Sequence, residues 1–189
     1  MKTIKNLTIK TVEGIALKNL QRFPSIEFGE EGGLQVDIYL LGKKIGTLYN
    51  AGDGGCADFT TDGGSENYTK LAKAVFDFLT RADKDFGPNS QYEWMRKKTS
   101  YKDISDDDIL SAAELIEERF YEFKAVQKIF KKGRKSAVIL KNDSSIRYLE
   151  GNIPDLTMQQ VKKYVANHCS QENYSEITIV KSPDELCIL

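Results

Sequence analysis

The sequence predicts an α+β fold in which antiparallel hairpins pack on helices, with two small β-rich modules flanking one long central helix. Three observations predict it. Leu34, Val36, Ile38 and Leu40 alternate with Gln35, Asp37 and Tyr39, the period-two pattern of a half-buried strand. A long helical periodicity follows Ser105. The last third then repeats short strand, turn and helix patterns in close succession.

Taken in order, Lys2 to Lys10 is expected as a strand and Phe28 to Gly33 as a flexible acidic turn. Leu41-Gly42-Lys43-Lys44 reads as a tight turn, and Ile45 to Tyr49 returns as the second strand of a hairpin. From Ser65 to about Arg81, Tyr68, Leu71, Val75, Phe78 and Leu79 recur at helical spacing behind Ser65 as N-cap, a helix to cover the sheet. Asp83 to Ser100, with Gly87-Pro88-Asn89-Ser90, lacks periodicity and is expected to be a linker. It divides a module of residues 1–100 from one of residues 101–189.

Ser105-Asp106-Asp107-Asp108 is a helix-capping sequence that places three carboxylates where the helix dipole favours negative charge. Behind it Ile109, Ala113, Ile116, Phe120, Phe123 and Phe130 step by threes and fours, with Gln127 on the same stripe. Lys131-Lys132-Gly133 supplies the stop. Beyond lie a strand over Ala137 to Leu140, a turn at Lys141 to Ser144, a strand over Ile146 to Leu149, a helix from Thr157 to about Cys169 and a strand over Glu176 to Lys181. Thr157 and Gln160 form a second capping box, and Pro154 stops the strand before it.

Composition limits function. The 189 residues are 40% hydrophobic and 29% charged, with 27 Lys and Arg against 28 Asp and Glu. A net charge of -1 provides no overall field toward nucleic acid or an anionic membrane, so any such contact must be local. No apolar run is long enough to span a bilayer and the N-terminus has no signal-peptide core, so a cytoplasmic protein without a membrane partner is expected. Cys56, Cys169 and Cys187 form no C-x-x-C pair and suit free thiols in a reducing compartment. His168 is the only histidine, which excludes a multi-histidine metal site and forces any Ser-His-Asp or Cys-His mechanism through one residue. Its place on the face of Val161 and Val165 reads as a partly buried structural histidine. Cys56 is the better nucleophile candidate, since Cys169 and Cys187 lie in apolar-patterned segments.

The feature that stands out is Asn50-Ala51-Gly52-Asp53-Gly54-Gly55-Cys56, a strand end running into a loop with three glycines. Positive φ is easy for Gly and less so for Asn and Asp, so the backbone is shaped for an irregular turn. A nest of amides around a phosphate is one use of such a turn. The spacing matches neither G-x-G-x-x-G nor G-x-x-x-x-G-K-[ST], and Asp53, Asp58 and Asp62 are too scattered for a metal site, so no cofactor or metal is expected.

The run Ile38-Tyr39-Leu40-Leu41-Gly42-Lys43-Lys44-Ile45-Gly46, followed by Asn50 to Gly55, resembles a hairpin and N-x-G-x-G-G loop found in uncharacterised small proteins of bacteriophages and other mobile elements. The resemblance implies an accessory or inhibitor protein that binds a host protein or protein–nucleic-acid complex, anti-CRISPR proteins included. The chain is therefore expected to be a non-enzymatic binding protein, with Asn50, Asp53, Gly54, Gly55, Trp94, Asp106 and Asp107 at the partner surface. Trp94, with Tyr92 and Tyr101, is a large ring in a charged linker, either docked or an anchor. Asp106 and Asp107 stand where an acidic mimic of a phosphate backbone would. The alternatives are a nucleic-acid module using Lys124, Lys128, Lys131, Lys132, Arg134 and Lys135, or a phosphate or nucleotide binder using Asn50 to Cys56.

Overall fold

A computed structural model of the protein describes residues 2–4, 11, 13–24, 32–86, 93–142, 145–153, 155–168, 174 and 176–182. Two antiparallel sheets and three α-helices among the described residues make it an α+β protein. It divides into two compact units, Met1–Glu118 and Arg119–Ile188. The division falls inside the long helix, whereas the sequence suggests a boundary near residue 100.

The first unit holds a five-stranded meander in the order β1-β2-β3-β4-β5: β1 (Lys2–Ile4), β2 (Ile15–Phe23), β3 (Gly33–Leu40), β4 (Lys43–Asn50) and β5 (Asp58–Thr61). The alternation of β3 is as expected, with Leu34, Val36, Ile38 and Leu40 buried and Gln35 exposed. The β3–β4 turn is only Leu41-Gly42, at φ 51° and 86°. Both values are positive, the geometry that matches the twist of the flanking strands. Lys43 and Lys44, expected in the turn, already belong to β4.

Two strands escape the periodicity. In β2 a bulge between Lys18 and Gln21, with Asn19 at φ 54°, shifts the buried phase from Ile15 and Leu17 to Leu20, and Ala16 before it is buried as well. The four-residue edge strand β5 carries no apolar pattern at all. Of the strand expected over Lys2 to Lys10, Lys2–Ile4 is seen, and 5–10 lies outside the described residues. So do 28–31 of the expected acidic turn, whose last residue, Gly33, begins β3.

Helix α1 (Gly64–Phe86) covers the apolar face of this sheet, with Leu71, Val75, Phe78 and Leu79 buried. It starts one residue earlier than expected, so Ser65 is helical and not the cap, and it runs past Arg81. Ala82 and Asp83 explain the extension, both being buried, Asp83 through an ion pair of 2.8 Å with Arg96. The expected linker thus contains secondary structure: Asp83 is helical and a 3-10 turn occupies Glu93–Lys97, with a second just beyond it at Tyr101–Asp103. The Gly87 to Ser90 stretch and Tyr92 lie outside the described residues.

Helix α2 (Asp106–Lys131) matches the expected limits. Ser105 and Asp108 form its cap, Asp108 Oδ2 accepting from the Ser105 amide at 2.6 Å and hydroxyl at 3.0 Å. Its first half buries Ile109, Ala112, Ala113, Leu115 and Ile116.

In the second unit β6 (Ser136–Asn142) lies between β7 (Ser145–Gly151) and β8 (Glu176–Val180), all antiparallel. One face, through Ala137, Ile139 and Val180, packs on Val126 and Ile129 of α2, with Phe130 and Tyr148 at the margin. The other, through Val138 and Leu140, packs on Val161 of α3 (Met158–His168). In this half of α2 the buried stripe is Glu122, Val126 and Ile129, while Phe120 and Phe123 of the expected stripe are half-buried. The Thr157–Gln160 capping box forms as expected, at 2.9 and 3.3 Å. His168 is exposed, not partly buried, and stacks on Tyr164 with ring centroids 4.4 Å apart. Pro154, Cys169, Cys187 and residues 143–144 are outside the described residues. No helix among the described residues is long and apolar enough to cross a membrane.

Candidate functional site

The glycine loop closes on itself. Asn50, the last residue of β4, accepts from the Gly52 amide through Oδ1 at 2.8 Å and donates through Nδ2 to the Gly55 carbonyl at 3.4 Å. Asp53 Oδ1 accepts from the Gly55 amide at 3.0 Å. Two amides that would face a phosphate in a nest are therefore already bonded to Asn50 and Asp53, which act as built-in anion surrogates. Gly52, at φ 73°, lies so close to the backbone of Gly32 and Gly33 that a Cβ would sit 2.4 Å from the Gly32 carbonyl carbon. Gly54, at φ 80°, has nothing within 4 Å of that point and stands in the open with Asp53, Gly55 and Cys56.

The first turn of α2 holds the chain that leaves the loop. Asp107 Oδ1 accepts from the Ala57 amide at 2.8 Å, and Asp106 Oδ2 accepts from the Phe59 amide at 2.9 Å. The other oxygen of Asp106 accepts from the Tyr68 hydroxyl at 2.9 Å. Burial of that phenol, followed by its bond to Asp106, raises its pKa to about 12. Asp106 and Asp107, expected as a free phosphate mimic, thus bind the protein's own backbone. Trp94 is half-buried in the 3-10 turn beside the same helix end: Lys98 lies 5.4 Å from its ring centroid and pairs with Asp108 at 2.7 Å. The structure accordingly brings Asn50, Asp53, Gly54 and Gly55 together at the loop tip and joins Asp106 and Asp107 to the loop's exit, with Trp94 tied to α2 through Lys98.

The basic residues divide into two sets. Lys132 and Arg134 pair with Glu150 of β7 at 2.6 and 2.9 Å, and Arg134 also donates to Asn152 at 3.0 Å. Those two cations hold the Glu150 carboxyl below the usual range. Lys128, Lys131 and Lys135 are exposed and make no ion pair among the described residues.

The second face of the five-stranded sheet is the part of the site that periodicity does not show. Phe23 and Tyr49 stack across it with centroids 5.7 Å apart, the Phe23 ring lying over Gly33, its cross-strand partner. Tyr49 is 44% exposed, and Gln35, opposite it, is exposed as well. Further along, the Lys18 ammonium lies 4.0 Å from the centroid of the Tyr39 ring. At the centre Asp37 accepts from Asn19 at 2.8 Å and Thr47 at 2.8 Å and pairs with Lys44 at 2.9 Å. Partial burial pushes its pKa up, but the bonds from Asn19, Lys44 and Thr47 outweigh this and hold the carboxyl below its ordinary value.

A folded-state pKa below the unfolded one contributes stability above about pH 4, lost as pH falls through the folded value. Asp37→Asn is therefore expected to lower stability by about 1 kcal/mol at neutral pH, a partly exposed pair being screened by solvent. The deficit should shrink when urea midpoints are compared at about pH 3. An equal deficit at both pH values would assign the loss to shape, not charge.

Comparison with protein-family models, with curated proteins and with solved structures returned no match to this chain.

Proposed function

We propose that the chain is a non-enzymatic binding protein that holds a host protein or protein–nucleic-acid complex against the second face of its five-stranded sheet and the tip of its glycine loop. An accessory or inhibitor protein of a phage or mobile element, of the anti-CRISPR kind and acting in the host cytoplasm, is the class proposed. The observation that carries this reading is continuity. The Phe23–Tyr49 stack, the exposed Gln35 and the loop tip from Asp53 to Cys56 follow one another along the ends of β3 and β4, and Gly52 locks the loop to the start of β3. The residues of the resemblance, Ile38–Gly46 and Asn50–Gly55, build the hairpin and loop of this same surface. Aromatic anchors set among polar groups are the composition of a binding hot spot, and a loop closed by its own hydrogen bonds loses little entropy on docking.

The test is capture from bacterial lysate treated with nuclease, comparing the wild type with a Gln35→Arg/Tyr49→Ala variant. Both positions are exposed, so folding, checked by circular dichroism, should persist. The wild type is expected to retain one protein that the variant releases. Retention by both, or retention by neither, would refute the surface.

A further inference from the structure

We infer that the second half of α2 carries a separate site for the phosphodiester backbone of duplex nucleic acid, formed by Lys124, Lys128, Lys131 and Lys135. Lys124, Lys128 and Lys131 stand at i, i+4 and i+7, so they rise along one side of the helix over about 10 Å. Val126 and Ile129 pack on the three-stranded sheet from the other side, and Lys135 follows the helix end. All four lysines are exposed and none has a carboxylate partner among the described residues.

The arrangement is selective. Where the same stretch needs internal neutralisation it has it: Glu150 takes Lys132 and Arg134, and Glu122 takes Arg119 and Lys141. The stripe is left charged although like charges at i, i+4 oppose one another. The helix dipole accounts for cations in the last turn only, which includes Lys128 and Lys131 but neither Lys124, nearly two turns inside the helix, nor Lys135 beyond it. Lys124 is held near the stripe by the Phe120 ring, its ammonium 5.4 Å from the centroid. Ammonium groups on flexible stems suit a line of phosphates, and nothing in the stripe reads base edges, so binding is expected to be independent of sequence. The site lies in the second unit, while the proposed partner surface lies in the first, so each stands or falls alone.

The experiment titrates the full chain into a fluorescein-labelled DNA duplex of scrambled sequence and follows anisotropy across a salt series. Four phosphate contacts predict a log–log salt slope of about −3.6, which makes binding about a hundredfold weaker at 200 mM than at 50 mM salt. Lys128→Glu/Lys131→Glu/Lys135→Glu should abolish binding at every salt concentration. Lys73→Glu/Lys97→Glu/Lys102→Glu makes the same change in net charge on exposed lysines of the first unit and should change affinity less than threefold. Circular dichroism and thermal melting confirm that both variants fold. An equal loss in both triples would show only a net-charge effect and overturn the site. So would wild-type affinity in the first triple, a flat salt dependence, or binding to phosphatidylserine vesicles with none to the duplex.

Discussion

Gly52→Ala is expected to destabilise the first unit by roughly 3 kcal/mol, the sum of a left-handed backbone penalty and a backbone collision. At φ 73° a Cβ already opposes the preferred conformation of an L residue. What it would meet is the Gly32 carbonyl carbon at 2.4 Å, the Gly33 nitrogen at 2.5 Å and the Gly32 oxygen at 2.7 Å. These are main-chain atoms, so no rotamer change relieves the contact and the start of β3 must move away from the end of β4. That movement breaks the pairing of Leu34 with Asn50 and removes Gly33 from beneath the Phe23 ring. Gly54→Ala is the control. Its φ of 80° carries the backbone penalty, but nothing lies within 4 Å of the new methyl, so about 1 kcal/mol is expected. Urea denaturation of the two variants measures the difference. Equal losses would show that the approach to Gly32 and Gly33 imposes no restraint. Under the proposed function Gly52→Ala should also weaken capture of the partner, since it frees the loop tip from the sheet.

How much of this was legible in the sequence depends on whether the determining contact is local. The turn at Leu41-Gly42, the alternation of β3 and the Ser105–Asp108 cap rest on neighbours within four residues, and all were readable. Helical spacing found α1, but its end was not readable, because Asp83 is kept helical by Arg96 across the expected linker. β2 was hidden because Ile15, Ala16 and Leu17 are buried in succession and its bulge then shifts the buried phase to Leu20, so no period-two stripe runs its length.

The glycine loop announced itself, as any run rich in Gly, Asn and Asp does. Its partner did not: Asp107 binds Ala57 across 50 residues of chain, and nothing in Ser105-Asp106-Asp107-Asp108 distinguishes carboxylates that cap a helix from carboxylates that grip another segment. One sequence does both, Asp108 closing the cap while Asp106 and Asp107 reach outward. The Phe23–Tyr49 stack was invisible for a similar reason, because it requires the register of β2, β3 and β4 to be known first.

A charged residue on a buried face defeats an apolar-pattern search altogether, and Glu122 is the case with the largest energetic consequence. Its side chain is 0% exposed, with Arg119 Nη1 at 3.0 Å from one oxygen and Lys141 of β6 paired to the other. The two cations are themselves only 20% and 12% exposed. Glu122→Ala takes a buried carboxylate from between two largely buried cations and is expected to cost about 3–5 kcal/mol. Glu122→Gln keeps the shape and one acceptor and should lose less. Replacing both sides of the α2–β6 pair, Glu122→Leu with Lys141→Met, should recover much of the deficit, because apolar packing substitutes for a buried ion pair where a lone charge cannot. Urea denaturation of the single and double variants makes the cycle. A Glu122→Ala loss under about 1 kcal/mol, or a double variant no better than the single, would mean that water reaches the triad and that Val126 and Ile129 alone set α2 on the three-stranded sheet.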